Sequence, residues 1–231
     1  MKPLICTICA RGGSQGVPNK NLKLINGKPL IAYTIEFAKK SGYFEDIVVS
    51  SDSKEILDCA SSFGSSLNIK RPANLAKHSS PKIPAIRHCF QEAEKLTKKT
   101  YKYIIDLDPT SPLRSINDLQ NCINIFENND APNLITGCLS RRSPYFNMVK
   151  LKNNKHASLV IKPKKQIARR QDTPICYDMN ASIYIWSRDT LIKSDKLFYH
   201  NTLFYEMPIE RSYDIDCEFD YKIVSMCLQN Q

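Results

Sequence analysis

The chain predicts a three-layer α/β fold, with helices on both faces of a mainly parallel sheet, and three observations carry that expectation. Short apolar runs alternate with stretches of helical length from Leu4 to Glu127. Capping and stop residues stand between them at the spacing strand–helix units require. The first apolar run, Leu4–Cys9, opens directly into the glycine-rich stretch Ala10-Arg11-Gly12-Gly13-Ser14-Gln15-Gly16-Val17-Pro18-Asn19-Lys20-Asn21. A loop at the end of a first strand is where such sheets hold their ligands.

Each element follows from local chemistry. After the loop, Pro29 to Lys40 reads as a helix, with Pro29 suited to the first turn and Gly42 to the stop. Ile47-Val48-Val49-Ser50 is a buried-type strand. Asp52 followed by Glu55 resembles a capping box, starting a helix that runs to Phe63 and ends at Gly64. A short strand near Leu67–Lys70 and a helix from Pro84 continue the alternation. Tyr103–Leu107 is a central strand, followed by the loop Pro109–Arg114 and a helix over Ile116–Glu127. From about Leu134 to about Arg170 short alternating stretches replace the strand–helix pairs, which predicts a small β-rich lobe. The chain returns to the main sheet at Ser182–Trp186 and closes with a helix over Glu218–Leu228. At 231 residues it has room for one substantial core, so a single domain is expected.

Composition excludes more than it selects. The 33 basic and 23 acidic residues give a net charge of +10, which suits an anionic substrate or nucleic acid equally. The lysines are scattered and have no aromatic residues interleaved as a stacking platform, so nucleic acid is not the expected partner. Nine cysteines are an odd number at irregular spacings. Cys6 and Cys9, three apart on a strand, point to opposite faces and cannot converge on one metal. Free thiols in a reducing compartment are expected instead. The first apolar run is too short for a signal peptide, and no stretch approaches a membrane span, so a cytoplasmic protein without a membrane partner is expected.

The glycine loop is neither a Walker loop nor a dinucleotide fingerprint: its spacing is Gly-Gly-x-x-Gly and Lys20 lies four residues past the last glycine. Its glycines let backbone N–H groups approach a ligand, and Arg11 and Lys20 bracket them with positive charge, which suits a polyanion such as a nucleoside triphosphate. Asp214-Ile215-Asp216 places two carboxylates on one side of an extended segment, able to share one divalent cation, and hard oxygen ligands beside a triphosphate select magnesium. Pro109-Thr110-Ser111-Pro112-Leu113-Arg114 follows a strand whose carboxyl end faces the ligand side of a parallel sheet.

The glycine loop resembles the signature loop of the CMP-sialic acid synthetase family, the cytidylyltransferases that activate nine-carbon acidic sugars. Val49-Ser50-Ser51-Asp52, Arg71-Pro72-Ala73, Pro109–Arg114, Asn180-Ala181-Ser182-Ile183-Tyr184 and Asp214-Ile215-Asp216 occur in that family's order and spacing, so the resemblance spans nearly the whole chain. It implies a Rossmann-like fold of the nucleotide-diphospho-sugar transferase type, with a dimerisation lobe at about 139–178 that helps complete the neighbour's sugar site in a homodimer. It implies that CTP meets Ala10, Arg11, Gly12, Gly13, Ser14, Lys20, Asn21, Arg71 and Ser80. It further implies that the acidic sugar meets Asp108, Ser111, Arg114, Arg170, Asp178, Asn180 and Tyr184, and that Mg2+ is held by Asp214 and Asp216. Arg11, Lys20, Asp214 and Asp216 are the expected catalytic set. Architectural roles for Arg114 and core packing for Tyr184 stand beside these readings.

Two departures bear on the sugar. Where family members acting on N-acetylneuraminate carry glutamine and Arg-Pro, this chain has Asp108 and Asp178-Met179. An ionised aspartate only accepts hydrogen bonds and repels a carboxylate, so the sugar is expected to offer extra N–H donors. Bacterial 5,7-diamino nonulosonates do so. Arg141–Asn147 and Tyr177–Asn180 resemble the branch acting on legionaminic acid. N-acetylneuraminate and the eight-carbon 3-deoxy-octulosonate remain the alternative sugars, and a basic nucleic-acid-binding protein the alternative of another class.

Overall fold

The computed structural model describes residues 3–14, 16–165 and 167–229. Strand β1 (Leu4–Cys9) is followed by the glycine loop and a two-stranded ribbon of β2 (Leu24–Ile25) and β3 (Lys28–Pro29). Helix α1 (Leu30–Ser41) starts one residue later than predicted, with Pro29 at its N-cap, and Gly42 closes it at φ 70. β4 (Asp46–Ser51) leads into α2 (Lys54–Ser62), whose cap is not the predicted Asp52 but Ser53; its Oγ accepts from the Ile56 N–H at 3.3 Å. Asp52 is thereby released for another bond, described below.

β5 (Leu67–Lys70) lies where expected. Helix α3 (Lys82–Thr97) begins two residues before the predicted Pro84, because Pro81 takes the cap position and Pro84 falls in the first turn, where a missing N–H costs nothing. β6 (Tyr103–Leu107) and α4 (Ile116–Glu127) match their predicted spans, and a Ser115–Asp118 capping box starts α4.

The alternation beginning near Leu134 is first β7 (Asn133–Leu139), a strand of the main sheet, and only then a hairpin of β8 (Val149–Lys152) and β9 (His156–Leu159). Asn153 and Asn154 turn that hairpin at φ 50 and 55, the left-handed region asparagine tolerates best after glycine. β10 (Tyr177–Met179) rejoins the main sheet before the predicted Ser182, and β11 (Ile183–Ser187) follows. A short α5 (Arg188–Lys193) and β12 (Leu203–Glu206), neither anticipated, precede the final α6 (Glu218–Gln229).

Strands β5, β4, β1 and β6 run parallel in that order. β11 then lies antiparallel between β6 and β7, and β12 pairs parallel with β7. Alternate residues of β1 feed opposite layers: Cys6 and Ile8 join α1, α2 and α4 on one face, while Ile5 and Cys9 join α3 and α5 on the other. The two cysteines therefore diverge as expected, and all nine cysteines are free. A third, smaller cluster of Val17, Ile25, Leu30, Leu113, Ile215 and Val224 ties the glycine loop and the Asp214–Asp216 segment to α6. That cluster positions the site.

Candidate functional site

The carboxyl ends of β1, β4, β5 and β6 open on one side of the sheet, where a cleft of about 540 Å³ lies. Its first wall is the glycine loop. Ala10 donates to the Ser50 carbonyl at 3.0 Å, extending the β1–β4 pairing into the loop. Gly12 N–H donates to Oδ1 of Asp52 at 2.9 Å, the bond for which Asp52 is free because Ser53 caps α2. Arg11, Ser14, Gly16, Lys20 and Asn21 line the cleft. Asn19, left-handed at φ 50, starts the single helical turn that brings Lys20 inward. Asn21 is buried, and its amide donates to the Arg11 carbonyl at 3.1 Å while its Oδ1 has no protein partner. Gly16 is required by contact: a Cβ there would stand 1.9 Å from the Asp216 carbonyl oxygen.

A second wall comes from the segment after β5. Arg71 is buried and donates through its guanidinium to Ser50 Oγ at 3.2 Å and the Ser50 carbonyl at 2.8 Å, while still lining the cleft with Leu75, Lys77, His78 and Ser80. Ser80 Oγ donates to the Asn74 carbonyl at 2.8 Å. Arg11 reaches His78 across the opening, with 3.3 Å between guanidinium and Nδ1.

The third wall is acidic. Ile215 is buried and its N–H donates to the Thr110 carbonyl at 3.0 Å, so the aspartates on either side of it are left at the cleft. Lys20 donates to the Ile215 carbonyl and sits 3.4 Å from Asp216 Oδ1. Upstream, Arg211 forks onto buried Asp118 of α4 at 2.8 and 2.9 Å, anchoring the segment. Burial, then the charges of Asp216 and Asp108, push the Asp214 carboxyl up to about 6. Such mutual repulsion is what a bound cation relieves. No cluster of three or more histidine, cysteine or carboxylate ligands occurs among the described residues. Two carboxylates fit an ion that keeps waters and takes further oxygens from substrate phosphates, as Mg2+ does, and do not fit a closed all-protein cage.

Asp108 also lines the cleft, held by Lys82 at 2.8 Å and by the N–H and hydroxyl of Thr110 at 2.9 and 2.8 Å. Burial raises its carboxyl, but the Lys82 ammonium and these hydrogen bonds outweigh burial and hold it at about 2. Asp106, two residues back and fully buried, accepts from Thr7 at 2.9 Å, and burial pushes its carboxyl up.

The structure thus gathers Arg11, Ser14, Lys20, Asn21, Arg71, Ser80, Asp108, Asp214 and Asp216 around one cleft. Ala10, Gly12 and Gly13 support or flank the loop without lining it. Ser111, Arg114, Asn180 and Tyr184 are interior residues. Arg114 donates to Ser182 at 3.0 Å, to Thr34 at 3.1 Å and to the Asp108 carbonyl, an architectural set that fixes the Asp108 loop. Ser111 Oγ lies 3.4 Å from the Asn180 carbonyl. Asn180 spans the break between β10 and β11, its Oδ1 accepting from Thr136 at 2.7 Å and from the Ser182 N–H at 3.1 Å beside left-handed Ala181. Tyr184 packs edge-on to Trp186 at 5.3 Å in the core. Arg170 and Asp178 are exposed, on the 139–178 side of the sheet, and do not line their own chain's cleft.

Lys82, Lys77, His78 and Thr110 also line the cleft and were not singled out in the sequence. A legible signal existed for the first: Asp106 is a charged residue inside the apolar strand β6, which calls for a buried cationic partner. His78 carries no such signal.

The family model for cytidylyltransferases matches residues 5–227. Over 229 residues the chain is 44% identical to CMP-N,N′-diacetyllegionaminic acid synthase of Campylobacter jejuni, covering 99% of this chain and 96% of that protein. It is 42% identical over 232 residues to post-translational flagellin modification protein B of Campylobacter coli, covering 100% and 97% of the two chains. Among solved structures, CMP:2-keto-3-deoxy-manno-octonic acid synthetase complexed with CTP aligns at a TM-score of 0.69 over 99% of each chain; at 18% identity this likeness concerns the fold alone.

Proposed function

The chain belongs to the cytidylyltransferase family, and from that premise we propose that it joins CTP to N,N′-diacetyllegionaminate, giving the CMP-sugar and pyrophosphate. The observation that carries the reading is the composition of one cleft: Arg11 and Lys20 on the glycine loop, Arg71 beyond β5, and Asp108, Asp214 and Asp216 opposite. Cations and backbone N–H groups at the loop neutralise a triphosphate and hold its α-phosphorus in line with the sugar hydroxyl. The hydroxyl oxygen forms the new bond to that phosphorus as the bond to the β-phosphate oxygen breaks. Its proton passes to a carboxylate of the acidic wall, Asp214 foremost. Arg71 and Ser80 border the region left for the cytosine ring. Mg2+, held by Asp214 and Asp216, would supply charge neutralisation at the phosphates.

The sugar assignment rests on Asp108. A fixed carboxylate accepts hydrogen bonds and cannot donate, which favours a sugar with amide N–H groups over one that offers a carboxylate at that position. Leu139, Leu151, Ile175 and Met179, within or next to the 139–178 segment, are exposed apolar side chains, and they support a homodimer in which Arg170 and Asp178 serve the neighbour's cleft. Nine free thiols suit the cytoplasm.

Pyrophosphate release from CTP with magnesium, measured side by side on N,N′-diacetyllegionaminate, N-acetylneuraminate and 3-deoxy-octulosonate, tests the reading. The highest kcat/KM is expected on the first. Comparable turnover on both nine-carbon sugars would defeat the role given to Asp108, and release with none of the three would remove this substrate class.

A further inference from the structure

Lys82 is the first residue of α3, a position where the helix dipole disfavours a cation. Its ammonium is nevertheless placed between two carboxylates of β6, 3.0 Å from Asp106 Oδ2 and 2.8 Å from Asp108 Oδ2, with the Tyr184 ring centroid 5.0 Å away. The ammonium bridges the two carboxylates, donating a hydrogen bond to Asp108 Oδ2 and standing in ion-pair contact with the buried Asp106 Oδ2. Asp106 has a separate donor in Thr7 on its other oxygen. Lys82 thereby ties the carboxylate that lines the cleft to the one buried beneath it.

We propose that Lys82 is a positioning residue for sugar selection: it locks the Asp108 carboxylate in the one orientation that accepts hydrogen bonds from the sugar. The inference rests on the reading of Asp108 as a sugar contact and adds the residue that makes that contact specific. Thr110 clamps Oδ1 with two donors and Lys82 clamps Oδ2, so the carboxylate plane is fixed from both oxygens. Without the ammonium, the Asp108 carboxylate faces Asp106 and Asp214 with no cation on Oδ2, and the Arg114 guanidinium, bonded to the Asp108 carbonyl, does not replace that clamp. The carboxylate then takes up a proton or turns away, and in either case it no longer discriminates a donor-rich sugar from a donor-poor one.

The rival role for Lys82 is structural: neutralising buried Asp106. Two variants separate the roles. Lys82→Met keeps the length of the side chain and its packing on Tyr184 but removes the charge. The double variant Lys82→Met/Asp106→Asn removes the buried carboxylate together with its counter-ion, so no unpaired charge is left in the core while Asp108 still lacks its clamp.

Wild type, both variants and their melting temperatures are compared by pyrophosphate release. A wild type inactive on every sugar would overturn the functional reading itself and is scored first. With an active wild type, both variants are expected to raise the KM for N,N′-diacetyllegionaminate about tenfold and lower its preference over N-acetylneuraminate by a similar factor, as loss of a charge-assisted bond implies. Their KM for CTP stays within about twofold by the same reasoning, since that contact set is elsewhere. Wild-type sugar KM and selectivity in the double variant would overturn the proposal, because Lys82 would then serve Asp106 alone. Should Lys82→Met melt too low to assay, the double variant decides the matter by itself.

Discussion

The cleft and the 139–178 segment are built on opposite plans. Every wall of the cleft is tied to the sheet by bonds within the one chain, from Gly12 on Asp52 to Lys20 on the Ile215 carbonyl. The β8–β9 hairpin has all four residues of β8 exposed, Leu151 at 61%, and it pairs with no strand of the main sheet. The cleft is polar and sets cations against carboxylates; the hairpin exposes Val149 and Leu151 among lysines and lacks a covering layer. A site that must hold a polyanion needs preorganised charge, whereas a surface with exposed apolar side chains gains by meeting another surface. Within one chain the first region is held in place by its own bonds, and the second is left uncovered.

The largest effect expected within the cleft comes from adding a single methyl group. Gly16→Ala places a Cβ against the Asp216 carbonyl, a backbone atom that cannot swing aside. Either the loop withdraws with Arg11 and Lys20 or the Asp214–Asp216 segment shifts. Since displacement by about 1 Å at a reacting centre costs up to about a hundredfold, kcat/KM for CTP is expected to fall by about that factor with the melting temperature little changed. Wild-type steady-state kinetics would show that loop and acidic segment do not act as one unit, and would remove the contrast with the hairpin.

A smaller effect has the opposite sign for stability. The Asp214 carboxyl, pushed up to about 6 by burial and its acidic neighbours, lies above its value of about 3.9 in an unfolded chain. The folded state therefore binds that proton more tightly, so the group stabilises the fold most below pH of about 4, and the contribution is lost as pH rises through about 6. Asp214→Asn is neutral throughout. In the absence of divalent cations it should be more stable than wild type at pH 7, on the order of 1 kcal/mol once the partial exposure of Asp214 is allowed for, and indistinguishable near pH 4. Melting temperatures across that range check it. A variant less stable than wild type at pH 7 would mean that the acidic wall carries no repulsion for a cation to relieve.

Much of this contrast was legible in the sequence, and the parts that were not share a cause. Apolar periodicity and glycine or serine caps report on neighbours in the chain, and they located β1, β5, β6, α4 and α6 to within a residue or two. Asp52 looked like a helix cap because cap chemistry is local; that it instead holds Gly12 depends on a partner forty positions away. Lys82 clamps Asp108 across 26 residues, and Arg114 turns inward to Ser182 and Thr34 across 68 and 80. No spacing rule reports such pairings. β7 and β10 read as parts of the lobe because alternation marks a strand without naming its sheet.

The smallest expected effect on the chain itself is the sharpest probe of the hairpin. Leu151→Glu replaces an exposed side chain on β8, where no packing is lost, so unfolding free energy measured at high dilution should change by less than about 0.5 kcal/mol. If a second copy covers this face, the new carboxylate must be desolvated there without a partner, and the dimer dissociation constant should rise at least about tenfold. Sedimentation over a range of protein concentrations reads that shift. Because Arg170 and Asp178 lie on this side and outside their own cleft, sugar KM should rise together with dissociation while CTP binding stays as in wild type. An unchanged association state would leave the exposed leucines without a partner surface. Dissociation with unchanged sugar KM would instead show that the cleft is as complete in function as it is in its bonding, and that the two regions are separate devices on one sheet.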